Sequence, residues 1–325
     1  MDRLEDMTEQ DLRFDGKVAL VTGAGGGLGR DYARLLAQLG ARVVVSDNGA
    51  SVAGDGSVGD PANQVVEEIR AAGGEAIAFT GDLSVEREAR GAVEACLDGF
   101  GRIDAIVHNA GIAPGTIEID KIPSDLFARV LGVSTFAPFW MINAAWAHMR
   151  SQGGGRIVLT SSAAIWGTAN SLPYGTAKSS MIGMCRSLAK SGAEDNILTN
   201  VIIPTAATRL TDRFPQSPFM DWFRENLKTE LAAPIVGFLC HDESKVNGEI
   251  LTVAGGRISC VRLIETIGDI GQNATIEEVR DRMPSVLSQE EHWIPESPPW
   301  RTAKIAELLG FAGSTEDAYG YDKKT

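Results

Sequence analysis

Tyr174 and Lys178 stand four residues apart in PYGTAK. At that spacing both side chains lie on one face of a helix, here one that starts near Pro173. A phenol with its ordinary pKa near ~10 is a poor acid or base at neutral pH. A cation one turn away favours the phenolate and draws that pKa down. The pair therefore reads as a proton carrier and its activator, and Lys178 could also hold a ribose. A hydroxyl from a strand end would polarise a substrate carbonyl beside them. Ser161 and Ser162 stand at such an end. Strand side chains alternate between faces, so only one of the two points at the tyrosine. On an ordinary helix surface a Y-x-x-x-K pair carries no such meaning. A second chemical feature on the same sheet edge supplies the context.

That feature is a glycine loop. KVALVTG runs straight into AGGGLGR, and Gly23, Gly27 and Gly29 are spaced G-x-x-x-G-x-G, with Leu28 between the last two. This is not the strict G-x-G-x-x-G fingerprint, but the physics is shared. A tight turn brings backbone close to a pyrophosphate, and the next helix offers free N–H groups and the positive end of its dipole. Asp47 lies 18 residues beyond Gly29, at the end of the second strand. A carboxylate there accepts both adenosine ribose hydroxyls and repels a 2′-phosphate, and no Lys or Arg stands within 23–29 to offset it, so NAD is the expected cofactor. Asp82 and Leu83 follow the third strand, where Asp82 could meet the adenine amino group. Asn109, Ala110 and Gly111 follow the fourth, where small residues let backbone pass close to the cofactor. The four histidines and four cysteines show no metal-ligand spacing, and no metal is expected.

The elements that must position these groups follow from the pattern. Apolar, β-branched runs at 17–22, 42–46, 75–79, 103–108, 156–161, 198–203 and 249–253 alternate with helical stretches at 28–39, 62–72, 84–100, 124–150 and 179–192. The first five runs are apolar almost throughout, as expected of strands covered on both faces. The alternation predicts an α/β fold, a Rossmann-type doubly wound parallel sheet of about seven strands. A single domain over 1–258 with a C-terminal extension over 259–325 is expected. Three segments break the rhythm. The loop 48–61 is long and Gly-rich. Residues 209–230, with Phe214, Phe219, Trp222 and Phe223, follow a strand end and read either as a lid over an apolar substrate or as a helix closing the fold. The extension holds helical stretches at 276–287 and 303–309 around a Pro/Trp-rich patch at 293–300, and is expected to pack on the lid or on a neighbouring subunit.

With TGAGGGLG, Asp82, HNAG, the paired serines, YGTAK and NVIIPTAAT in this order over about 15–256, the chain resembles the short-chain dehydrogenase/reductase family. The resemblance implies Tyr174 as general acid/base, Lys178 as its activator and ribose ligand, and Pro204 and Thr208 beside the nicotinamide. It also implies a homodimer or homotetramer. Ser134 occupies a position where the family commonly has Asn in V-N-x-x-G, and its hydroxyl with a water could serve the proton relay of that Asn. The family spacing counted back from Tyr174 gives Ser161 as the catalytic serine; the strand register counted forward from Gly155 gives Ser162, which is preferred because a loop absorbs a deletion more cheaply than a buried strand shifts. The segments GDGSVGDPANQVVEEIRAAGGEA, AAWAHM and APIVGFLCHDESKVNGEILTVAGGRI further resemble the dehydrogenase unit of multifunctional enzyme type 2 (17β-hydroxysteroid dehydrogenase type 4) and its bacterial relatives. That implies NAD-dependent oxidation of a (3R)-hydroxyacyl-CoA or a hydroxysteroid.

Composition narrows the partners. The chain has 325 residues and a net charge of −13, which disfavours nucleic acid and anionic lipid. Cys96, Cys185, Cys240 and Cys260 are widely spaced, as in reduced, cytoplasmic proteins. The polar N-terminus lacks a signal-peptide core, the ending DKKT is no peroxisomal address, and no apolar run approaches the ~20 residues of a membrane span. The expected function is hydride transfer between NAD(H) and a secondary alcohol or ketone of a bulky apolar or CoA-linked small molecule. The alternative is a catalytically weak nucleotide-binding regulatory or scaffold protein on the same fold.

Overall fold

The computed structural model describes residues 12–56, 59–271 and 275–311. Three stretches read above lie outside the described residues: the polar start 1–11, Ser57 and Val58 of the long loop, and the polar ending 312–325. An eight-stranded sheet has the order β3-β2-β1-β4-β5-β6-β7-β8. Strands β1 (Val18–Thr22), β2 (Arg42–Ser46), β3 (Glu75–Phe79), β4 (Ala105–His108), β5 (Gly155–Thr160), β6 (Ile197–Thr205) and β7 (Ile250–Ala254) run parallel. Their helices cross over the sheet: α1 (Gly27–Gln38) packs on α2 (Pro61–Ala71) and α8 (Ala233–Cys240), while α3 (Glu86–Phe100) packs on α5 (Ala137–Ser151). The strand order reverses between β1 and β4, which opens a crevice at their carboxyl ends.

Two details differ from the expected sheet. Strand β3 is not covered on both faces: Glu75 is exposed and Ile77–Phe79 are half-buried, because β3 is the sheet edge. The eighth strand, β8 (Arg257–Val261), follows β7 after Gly255 and Gly256, whose φ angles are +55° and +84°. Two residues with positive φ make a tight hairpin turn, so β8 returns antiparallel.

The helix expected over 124–150 is broken. Helix α4 (Ser124–Leu131) passes into a π turn, Gly132–Phe136, before α5. Pro138 explains the break: it has no N–H to offer the carbonyl of Ser134, and its ring crowds that carbonyl. The stretch also corrects the reading that no apolar run approaches a membrane span. By length and composition Ser124–Ser151 suffices, with a mean hydropathy of 1.3 over its most apolar window. Met141, Ile142, Ala145 and Met149 bury one face of α5 in the core, while Phe136 and Phe139 are exposed.

The chain divides into two compact units between Cys260 and Val261. In the second, β9 (Glu265–Thr266) and β10 (His292–Trp293) pair antiparallel, with α9 (Ile276–Ser288) and α10 (Pro298–Leu308). Trp293 meets Trp300 edge-on at 6.1 Å, and Arg301 pairs with Glu265.

Candidate active site

The end of β5 and helix α6 (Leu172–Gly192) bring together Ser162, Tyr174 and Lys178. Ser162 and Tyr174 line the same cavity, Ser162 near enough to draw the Tyr174 pKa down, and Ser162 Oγ accepts from Ala164 N at 3.2 Å. Ser161 turns the other way: it is 3% exposed and donates to the Lys178 carbonyl at 2.7 Å, bracing the helix turn that carries the lysine.

Lys178 is enclosed, with Nζ donating to the Thr160 carbonyl at 2.8 Å and lying 5.9 Å from the Tyr174 ring centre. Burial pushes the ammonium down to about 8. The phenol departs from the sequence argument. Burial raises the Tyr174 pKa, and the Ser162 hydrogen bond opposes that rise. Burial prevails, so Tyr174 is a protonated donor through neutral pH.

Beneath them the crevice is tied by polar bonds. Thr22 Oγ1 accepts from the N–H groups of Asn109 and Ala110, both at 3.1 Å. Its own proton then goes to Nδ1 of His108, 3.1 Å away, which leaves the ring proton on Nε2. Burial, then the charge of Lys178, pushes His108 down to about 3, so it is neutral. Ser134 is fully buried in the π turn and its Oγ has no partner among the described residues. A Cβ on Gly111 would lie 3.0 Å from Lys178 Nζ and 3.2 Å from Ser134 Oγ. Glycine at 111 therefore keeps open a small polar space between the lysine and the serine.

The other end of the crevice is built on the β1–α1 turn. Gly23 has φ +61° and Gly27 +52°, in the left-handed region. A Cβ on Gly29 would come within 2.2 Å of the Gly23 carbonyl, so this glycine is required for close packing of α1 on the turn. Helix α1 has no side-chain cap and no acidic residue in its first turn, leaving N–H donors to a ligand. Asp47 clamps the loop, accepting from Gly25 N at 2.9 Å and Gly49 N at 2.8 Å. Asp82 caps its own turn through Ser84 N at 2.9 Å.

One cavity of about 480 Å³ joins both ends. Gly23, Gly27, Leu28, Asp47, Asp82, Leu83, Asn109, Ala110, Gly111, Pro204 and Thr208 line it with Ser161, Ser162, Tyr174 and Lys178. Gly29 and Ser134 stand behind its wall. Sequence reasoning missed Val52, Ile112, Arg129 and Arg209, which also line it. The long loop reaches it by folding back, with Val52 O accepting from Ala113 N at 2.7 Å and Asp55 pairing with Arg129 at 2.9 Å. No local pattern announces those contacts. In the 209–230 segment, Phe214 and Phe223 line the cavity, whereas Phe219 and Trp222 are exposed and stacked at 6.0 Å.

The short chain dehydrogenase family matches residues 17–217. A putative short-chain type dehydrogenase/reductase of Mycobacterium tuberculosis is 38% identical over 297 residues, covering 90% of this chain and 95% of that protein. The chain belongs to the short-chain dehydrogenase family. Peroxisomal multifunctional enzyme type 2 of Drosophila melanogaster is 36% identical over 324 residues, covering 96% of this chain and 53% of that protein. A full-length structure of that enzyme superimposes with a TM-score of 0.75 at 31% identity, over 92% of this chain and 50% of that one. This short-chain dehydrogenase thus spans about half the length of that multifunctional relative. A 7α-hydroxysteroid dehydrogenase complexed with NADH and 7-oxo glycochenodeoxycholic acid superimposes with a TM-score of 0.67 at 31% identity, over 77% of this chain and 97% of that one.

Proposed function

We propose that the protein transfers hydride between NAD(H) and a secondary alcohol or ketone of a bulky apolar substrate, of the 3-hydroxyacyl-CoA or hydroxysteroid class. The observation that carries this reading is the single cavity with Ser162, Tyr174 and Lys178 at one end and the Asp47-clamped glycine loop at the other. The residues fit a dinucleotide: the helix end is uncapped, Gly27 at φ +52° turns the backbone of the loop, and a carboxylate stands at the end of β2. When bound, the nicotinamide supplies or accepts the hydride.

The chain's own groups do the rest. Ser162 donates to the substrate oxygen and fixes it beside Tyr174. In the reducing direction Tyr174 gives its hydroxyl proton to that oxygen; in the oxidising direction the phenolate takes it back. Lys178 Nζ, charged below about 8, offsets the negative charge left on the phenolate. Phe214 and Phe223 supply an apolar wall for the substrate body. Similarity to a multifunctional enzyme and to a steroid dehydrogenase supports the substrate class.

Oxidation of NADH with a panel of 3-ketoacyl-CoA esters and steroid ketones tests the reading. Tyr174→Phe and Ser162→Ala should each lower kcat by at least about 10²-fold, with NADH affinity retained. Ser161→Ala should cost far less. Absence of turnover across the panel, with NADH still bound, would favour the regulatory alternative.

A further inference from the structure

The segment after β6 crosses the tip of the glycine loop. The guanidinium of Arg209 lies over Gly26: its Nη2, Cζ and Nε are 3.5, 3.7 and 3.8 Å from the point a Gly26 Cβ would occupy. Three near-equal distances mean that the face of the planar group, not one of its corners, is turned to the loop. Thr208 takes the next place, with Cγ2 3.8 Å from a Gly27 Cβ. Gly25, one step back, donates its N–H to Asp47 at 2.9 Å. Along the loop, then, come the ribose carboxylate, the guanidinium and the threonine.

Arg209 is exposed, lines the cavity, and has no carboxylate partner among the described residues. An exposed arginine is free to extend its charge into water. This one instead rests beside the positive end of the α1 dipole, where a second positive charge is disfavoured. No acidic side chain in the first turn of α1 offsets it, and both oxygens of Asp47 are engaged by loop N–H groups. Two positive sources facing one gap, in a protein of net charge −13, make a receptor for an anion. A guanidinium grips phosphate oxygens bidentately.

We propose that Arg209 binds the pyrophosphate of the dinucleotide from above, opposite the glycine loop. The proposal rests on the dinucleotide reading of the cavity. Arg209 also begins the segment whose Arg213 donates to the Ala113 carbonyl at 2.8 Å and whose Phe214 and Phe223 form the substrate wall. Arg209 thus joins the nucleotide end of the cavity to the segment that carries the substrate wall.

The test compares ADP-ribose with adenosine as probes of the intact protein, by calorimetry. Wild type should prefer ADP-ribose. Arg209→Ala should lose about 10- to 100-fold in ADP-ribose affinity while adenosine affinity stays the same. Arg209→Lys should recover part of the loss, because it keeps the charge without the fork. ADP-ribose should slow amide exchange over 209–230 in the wild type and not in Arg209→Ala. An Arg209→Ala protein with wild-type ADP-ribose affinity overturns the proposal and leaves the dinucleotide reading intact, as does an equal loss for both probes. A wild type that binds neither NADH nor ADP-ribose overturns both. The unliganded melting temperature, unchanged in Arg209→Ala, separates lost contact from lost fold.

Discussion

Lys178 is a charged group held where water does not reach. Its pKa is 10.5 when free and about 8 in the fold. The folded chain therefore gives up a proton between those values that the unfolded chain keeps. The contribution to stability is largest above 10.5, falls as the pH drops through the window, and reaches its floor below about 8. At neutral pH the enclosed ammonium costs about 3 kcal/mol on this scale. Lys178→Met keeps the stem and removes the charge, at the loss of one hydrogen bond to the Thr160 carbonyl. The variant should be more stable by about 2 kcal/mol at pH 7, read from its urea midpoint, and inactive. A variant less stable than wild type would show that the lysine pays its way structurally. Ser161, bonded to the Lys178 carbonyl, braces the same helix turn.

Among the elements, the turn after β1 depends on the end of β2. Asp47 reads from sequence as a selector against a 2′-phosphate, but in the fold it also ties Gly25 and Gly49. Asp47→Ala removes the repelling charge and frees two backbone N–H groups. NADH should bind at least about tenfold more weakly, and the preference over NADPH should narrow through that loss more than through any gain for NADPH. Fluorescence titration with both cofactors checks this. A large gain in NADPH affinity with NADH affinity unchanged would show that the clamp is dispensable. The π turn is a second case at this scale. Its cause, Pro138, is visible in the sequence, but apolar periodicity carries straight through it and predicts one long helix.

For the whole molecule, every group named in the cofactor and reacting ends of the cavity lies before Cys260, the last residue of the first unit. A chain truncated after Val261, which retains β8, should bind NADH with the affinity of the full chain. A marked loss on truncation would show that the cofactor site needs the extension. Substrate KM and the sedimentation profile of the same truncation report whether 262–325 serves the substrate side or assembly.

The sheet, its order of strands and helices, the glycine loop, and the Tyr174–Lys178 pair are all legible in the sequence, because each rests on local spacing: a period of two, a period near four, or glycine where backbone must turn. Contacts between residues far apart in the chain were not. The fold-back of the 48–61 loop onto Ala113 and Arg129, the placement of Arg209 over Gly26, and the polar space shared by Ser134 and Lys178 join segments tens of residues apart. The rise of the Tyr174 pKa is of this kind too. Sequence shows a cation one turn away, but only the folded chain shows that both groups have lost water, and for the phenol burial outweighs the lowering by Ser162.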